Sequence, residues 1–359
     1  MKENRSLTLA KPRRPIATDA RERFRSTPPA RAIAVVALPP PAKGGGWRPA
    51  RAEAISKRDS TVTLARRSPQ ITVGVPVYNG ERFLAMTLES LLSQTVGDMV
   101  ILVGDNASTD ATGDITREYA ARDSRIRHVR HAKNLGAARN YSVLCEMAQT
   151  EFFRWLAADD CSAPRFHEAC LETLARHPDA VLAYPRIMMI DAQGRHLEEY
   201  DEGLHLPHDR PSERLFTLLR NLRLVNALYG VARTSVLKRT RLLGSFRGSD
   251  IVFLAELCLY GKILEIPELL MLRRMHEDSY TSMSPDEQRK FNNPDRSPTP
   301  EFYFSRHLAE YLRAVARAPV SARERARLLA GLARNAVWAR DKYFAELMTA
   351  IRVLVRRNA

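Results

Sequence analysis

From Ile71 onward the chain alternates short apolar runs with amphipathic stretches, and this alternation restricts the fold more than any other feature. Residues 71–77 (ITVGVPV), 99–103 (MVILV), 125–130 and 151–157 read as strands. Residues 81–94, the stretch around Ile115 and Tyr119, and residues 135–147 read as helices. Leu84, Leu88, Leu91 and Leu92 share one face at helical spacing. The first two runs are apolar throughout, as expected of strands covered on both faces. Strict strand–helix alternation gives a mostly parallel α/β sheet with helices on both sides. Right-handed crossovers bring the C-terminal end of every strand to one edge. That edge would gather Tyr78-Asn79, Asp105-Asn106 and Asp159-Asp160, where open α/β sheets bind ligands.

Residues 151–164, EFFRWLAADDCSAP, carry the strongest chemical signal. An aromatic strand delivers two aspartates, and Pro164 then opens a helix. Asp159 and Asp160 fit two readings, as caps of that helix or as oxygen ligands for Mg²⁺ or Mn²⁺. Such an ion could hold a diphosphate leaving group. No G-x-G-x-x-G follows the first strand, and no G-x-x-x-x-G-K occurs, which excludes nicotinamide-binding Rossmann domains and P-loop NTPases. A nucleotide still fits, with Asp105 accepting from a base N–H and a ribose hydroxyl, and Lys133 and Arg139 balancing phosphate charge. Asp250, in Gly248-Ser249-Asp250, reads as a partner of a helix N-terminus or as a general base. His276 follows Arg273 and Arg274, and the two arginines suit a diphosphate.

Beyond Asp160 the pattern loosens. Residues 163–177 read as a helix, 180–191 as the start of a hairpin, and 197–211 as an acidic loop. Helix at 213–222, strand at 226–233, helix at 250–260 and strand at 262–274 follow. Residues 278–299, rich in Ser, Pro and Asp, read as a mobile loop, and 302–316 and 322–355 as helices with Arg-rich outer faces.

The net charge of +15 belongs to the ends of the chain. Residues 1–70 carry +11, residues 301–359 carry +7, and the middle carries −3. This distribution argues against a nucleic-acid groove across the fold. Residues 1–68 read as a disordered basic extension, either a dispensable tail or an arm for acidic membranes. Four cysteines without a C-x-x-C pair fit a reducing cytoplasm. No run of residues is apolar and long enough to span a bilayer.

Taken together, ITVGVPVYNGERFLAMTLESLLSQT, VGDNASTDAT, NLGAARN and WLAADD resemble the family 2 inverting glycosyltransferases, over about residues 70–275. GSDIVFLAELCLYGK resembles the family's catalytic-base helix, and RRMHEDSYT its closing segment. The resemblance implies a GT-A fold (nucleotide-sugar half 69–161, acceptor half 162–290) followed by a basic helical segment, 300–359. It implies that Pro76, Tyr78 and Glu81 line the nucleotide, with Asp105 on the base and Asn106 beside it. It implies that Asp159 binds the metal with Asp160 beside it, that Asp250 deprotonates the acceptor, and that His276 lies near the diphosphate. The chain departs from the family's D-x-D where Ala157 replaces the first aspartate, so metal ligation would fall to Asp159, Asp160 and His276. The expected activity is transfer from a nucleotide-diphospho-sugar to a hydroxyl of a glycan or lipid-linked acceptor, in cell-envelope polysaccharide assembly at the cytoplasmic membrane face. The competing expectation is a non-catalytic nucleotide-sugar-binding or scaffold protein with a degenerate metal site.

Overall fold

The computed structural model describes residues 69–294 and 302–358; the basic extension expected over 1–68 lies outside them. The first half follows the alternation. Strand β1 (Ile71–Val77), helix α1 (Leu84–Leu92), β2 (Met99–Asp105), α2 (Thr112–Arg122), β3 (Ile126–Arg130), α3 (Ala137–Met147) and β4 (Phe152–Trp155) run in order. β1 lies between β2 and β4, parallel to both, and β2 pairs parallel with β3. Every residue of β1 is buried, which is why its sequence shows no polar alternation.

The second half adds β5 (Cys161–Ser162), α4 (Phe166–Arg176), β6 (Ala180–Ile190), β7 (His196–Tyr200), α5 (Pro211–Asn221), β8 (Val231–Arg233), α6 (Thr234–Leu237), α7 (Ser249–Leu257) and β9 (Lys262–Arg274). The sheet order is β3-β2-β1-β4-β8-β6-β9-β5, with β7 paired to β6. β8 runs antiparallel to both β4 and β6, while β6 and β9 are parallel. The chain ends in α8 (Pro285–Asn292), α9 (Tyr303–Arg317), α10 (Ala322–Trp338) and α11 (Arg340–Asn358).

Three expectations need correction. The loop expected at 197–211 begins inside β7, an edge strand whose HLEEY sequence is polar on both faces and so lacks the period-2 signal. The strand expected at 226–233 is a 3₁₀ turn, Asn226–Tyr229, followed by the short β8. The mobile loop expected at 278–299 contains α8, whose N-terminus is a capping box between Ser284 and Glu287.

The core has two layers, one on each side of the sheet. One packs Ile71, Val73, Leu84, Leu88 and Phe166. The other joins Leu144, Trp155 and Phe253 to Ala314 and Val315 of α9 and Leu328 and Leu332 of α10. The C-terminal helices therefore complete the same core as the sheet. Trp155 anchors this layer, meeting Phe153 and Phe253 edge-on at centroid distances of 4.9 and 5.5 Å. Its indole N–H donates to the carbonyl of Tyr141 at 2.9 Å.

One buried carboxylate organises the loop before β8. Glu202, 2% exposed, accepts the backbone N–H groups of Arg223, Leu224, Val225 and Asn226, and the Asn226 side-chain amide. Val225 sits at φ +61°, unfavourable for a β-branched residue, and the carboxylate holds it there. Glu202→Ala would strand several buried donors. It is expected to lower unfolding stability by on the order of 3 kcal/mol, with Glu202→Gln costing less, read from urea unfolding midpoints.

Candidate functional site

The first two strand-to-helix turns are laced together. Asn79 N–H donates to Ser108 Oγ at 3.0 Å, and Thr109 N–H donates to Asn79 Oδ1 at 2.9 Å. Glu81 N–H donates to Asp110 Oδ2, while Glu81 Oε2 accepts Ala111 N–H. Glu81 thus acts as a clasp between the turns. Pro76 is buried in β1, and Tyr78 stands exposed at the edge.

Asp105 ends β2 fully buried. Its carboxylate accepts Ser108 N–H at 2.8 Å and a guanidinium N–H of Arg130, and His128 Nε2 lies at 3.2 Å. Burial pushes this carboxyl up, but the bonds from Ser108, His128 and Arg130 outweigh it and hold it below its usual range. Asn106 fixes the neighbouring turn, donating to Asn134 Oδ1 and accepting Leu135 N–H, both at 2.8 Å. At the next residue, Gly136, φ is +79°, and an added Cβ would lie 2.4 Å from the Asn292 carbonyl. Glycine therefore lets α8 rest directly on this turn. Lys133 and Arg139 are exposed on the rim, and Arg139 pairs with Glu146 at 2.6 Å.

The acidic turn after β4 is held by the end of β9. Asp159 Oδ2 lies 2.9 Å from His276 Nε2, and the His276 ring packs against Phe83 at 4.9 Å. Asp160, 3% exposed, accepts the backbone N–H of Arg274 at 2.8 Å. The Arg274 guanidinium faces inward, binding the carbonyls of Asp159, Asp191 and Ala192 and reaching Cys161 Sγ. Beneath the turn lies Arg154, a fully buried cation in the FFRW strand. It donates to Ser162 Oγ, the Tyr229 carbonyl and His167 Nε2, and stacks 3.4 Å over Phe166. Burial lowers its pKa to about 9, leaving it charged near neutrality. Burial pushes the Asp160 carboxyl up, and the charge of Asp159 pushes the same way, against Arg273 and Arg274.

Asp250 sits in the first turn of α7, half-buried, after Gly248 at φ +75°. A Cβ on Gly248 would lie 2.7 Å from the His307 ring, so α9 packs directly on this turn. Burial pushes the Asp250 carboxyl up. Arg273 lies within electrostatic reach of both Asp160 and Asp250, and the phenols of Tyr141 and Tyr229 feel Asp159 and Asp160.

The structure thus brings Asp159, Asp160 and His276 together, and the charge of Arg273 acts on both Asp160 and Asp250. Asp160 does not join a metal-ligand set: its Oδ1 is committed to Arg274 N–H in the interior. Among the described residues no group of three His, Cys, Asp or Glu side chains is arranged to hold a metal ion. The three-ligand set of Asp159, Asp160 and His276 is therefore reduced to Asp159 and His276, one oxygen and one nitrogen converging at 2.9 Å. Two such donors fit Mn²⁺ or Mg²⁺ when a substrate diphosphate and water complete the shell. Sequence reasoning passed over Arg154, Glu202, Tyr141 and Tyr229. Arg154 had a readable signal, a charge inside an apolar strand; the others had none.

Residues 72–241 match the family described as glycosyl transferase family 2. EpsH of Bacillus subtilis (strain 168), which carries a glycosyltransferase name, is 37% identical over 117 residues, 32% of this chain and 33% of its own length. Chondroitin synthase of Escherichia coli is 28% identical over 130 residues, 36% of this chain and 19% of its own length. The chain thus spans about a third and about a fifth of these two relatives. Among solved structures, residues 1–349 of Staphylococcus aureus TarS in complex with UDP-GlcNAc superpose with a TM-score of 0.56 at 18% identity, covering 74% of this chain and 72% of that one. The strand order and these matches agree: residues 72–241 are similar to glycosyl transferase family 2, and the described residues have a mixed α/β fold like the GT-A fold of TarS.

Proposed function

We propose that this protein is an inverting glycosyltransferase of polysaccharide assembly, moving a sugar from a nucleotide-diphospho-sugar to a hydroxyl of a glycan or lipid-linked acceptor. The observation that carries this reading is the Asp159–His276 pair at the C-terminal edge of the sheet, with Arg273 acting electrostatically on both Asp160 and Asp250. In this reading residues 69–290 form the catalytic unit and the helices of 300–359 buttress it. The nucleotide lies along Pro76, Tyr78 and Asn106, with Lys133 and Arg139 on the rim. Its base reaches Asp105 where the half-exposed Arg130 side chain swings aside.

Asp159 and His276 would hold a divalent cation, which when bound would supply positive charge to the departing diphosphate. Asp250 accepts the proton of the acceptor hydroxyl. The acceptor oxygen bonds to C1 as the C1–O bond to the diphosphate breaks on the opposite face, so one displacement inverts the anomeric centre. The transition state is oxocarbenium-like, as in glycoside hydrolysis. Ala157 and the two-donor metal site favour one other reading, a binding protein without turnover. Nucleotide affinity with no transfer or donor hydrolysis would select it.

Membrane attachment fits the same setting. No helix among the described residues is long and apolar enough to cross a membrane. Instead, Val337, Trp338, Phe344, Leu347 and Ile351 are 42–71% exposed around the α10–α11 junction. Arg334 stacks on Trp338, Arg340 and Arg352 are exposed on α11, and Lys342 lies over the Phe304 ring. Exposed apolar and basic groups on these two helices suit an anionic lipid interface.

Three outcomes test these readings. Asp250→Asn is expected to lower kcat by ~10²–10⁴-fold with nucleotide affinity unchanged, and wild-type turnover would remove Asp250 from the role of base. A raised Asp250 pKa keeps the charged base absent until higher pH. The native rate should therefore fall, on acidification, at a pH above the ~4 of an ordinary aspartate. In sedimentation, the full chain should pellet with phosphatidylglycerol-containing vesicles and not with pure phosphatidylcholine. Added salt and the double change Trp338→Ala/Phe344→Ala should each weaken that binding.

A further inference from the structure

Three arginines surround the acidic turn, and one of them is built differently. Arg154 places Nε, Nη1 and Nη2 on protein partners. Arg274 does the same with its three nitrogens. Arg273 binds only through Nη1, to the Leu224 carbonyl at 3.2 Å and to Asn226 Oδ1. Both partners are uncharged, and its Nε and Nη2 are not among the sealed polar atoms that lack partners. Its remaining N–H groups therefore lie open, with no carboxylate paired to them among the described residues.

This guanidinium is also held in advance. Leu224 and Asn226 belong to the loop whose N–H groups converge on the buried Glu202 carboxylate. An arginine anchored at one nitrogen, with the rest of its planar fork open, loses little further freedom on binding an oxyanion. Its position is set by its neighbours. Its charge acts on Asp160, Asp250, Tyr200 and Tyr229, so it lies within electrostatic reach of both the acidic turn and the start of α7. Under the function proposed above, the diphosphate sits at Asp159 and His276 and the acceptor hydroxyl at Asp250. The space between them holds the sugar rings.

We propose that Arg273 is a specificity residue that recognises an anionic substituent, a carboxylate or a phosphate, on the sugars held between Asp159 and Asp250. This rests on the glycosyltransferase reading. A carboxylate meets the open fork through two parallel N–H···O bonds, which a neutral sugar hydroxymethyl group does not supply. Lysine at this position would keep the charge and lose the fork.

Calorimetric titration of the full chain separates the possibilities. UDP, GDP, CDP and dTDP are titrated first, with Mn²⁺. The nucleotide that binds is then compared as its glucuronic acid and glucose derivatives, which tests the donor ring. Methyl β-D-glucuronide and glucose 6-phosphate are compared with methyl β-D-glucoside at saturating nucleoside diphosphate, which tests the acceptor ring. The native protein is expected to prefer the charged member by about tenfold or more in one arm. Arg273→Met should abolish that preference with the nucleoside diphosphate Kd unchanged, and Arg273→Lys should retain part of it. Arg273→Gln serves where Arg273→Met fails to fold. Equal binding of charged and neutral sugars in both arms by the native protein overturns the proposal. So does a loss of nucleoside diphosphate affinity in Arg273→Met, which would make Arg273 a diphosphate ligand. Binding of no nucleotide overturns the glycosyltransferase reading and this inference with it.

Discussion

The site depends on keeping two adjacent carboxylates, Asp159 and Asp160, at the end of a buried strand. An unpaired carboxylate in a protein interior is strongly disfavoured, and Asp160 is almost wholly enclosed. The surrounding structure answers with positive charge from three directions. Arg154 approaches from beneath, Arg274 closes the turn with backbone and side chain, and Arg273 lies toward the cleft. His276 then takes the outward-facing Asp159. The long final strand β9 matters because it brings Arg273, Arg274 and His276 to a turn more than a hundred residues earlier in the chain.

This arrangement divides the labour between the two aspartates. Asp160 is an internal anchor, joined to β9 and unable to turn outward without abandoning a buried N–H. Asp159 keeps a carboxylate oxygen at the cleft. A motif that loses its first aspartate to Ala157 can still present one oxygen and one imidazole nitrogen at one point. Under the proposed function a cation there would depend more on the diphosphate, which would couple metal affinity to donor binding.

Much of the fold was legible because its first half is repetitive. Strands β1 to β4 and the helices between them follow from apolar runs and leucine spacing, and right-handed crossovers predict the edge where Asp105 and Asp159 emerge. The rest was hidden for physical reasons. β7 is polar on an edge, β5 has only two residues, and α8 lies in a stretch whose Ser and Pro content resembles a loop until its capping box is recognised. The site was legible by residue type and less so by role. Asp159 and Asp160 read as a pair, yet burial separates them. Arg273 and Arg274 read as equivalent, yet strand alternation turns one inward and leaves the other at the cleft. Glu202 reads as part of an acidic stretch, and only the fold shows four backbone N–H groups converging on it.

The C-terminal helices belong to this argument because of Gly248. That glycine has a left-handed conformation and leaves no room for a side chain against His307 of α9. The turn carrying Asp250 is thus pressed between the sheet and a helix whose apolar face completes the core around Trp155. The position of the proposed base is set by packing against residues more than fifty positions later. The same hairpin of helices turns Trp338 and Phe344 outward. A surface that docks on lipid and a turn that holds the base would then share one rigid element.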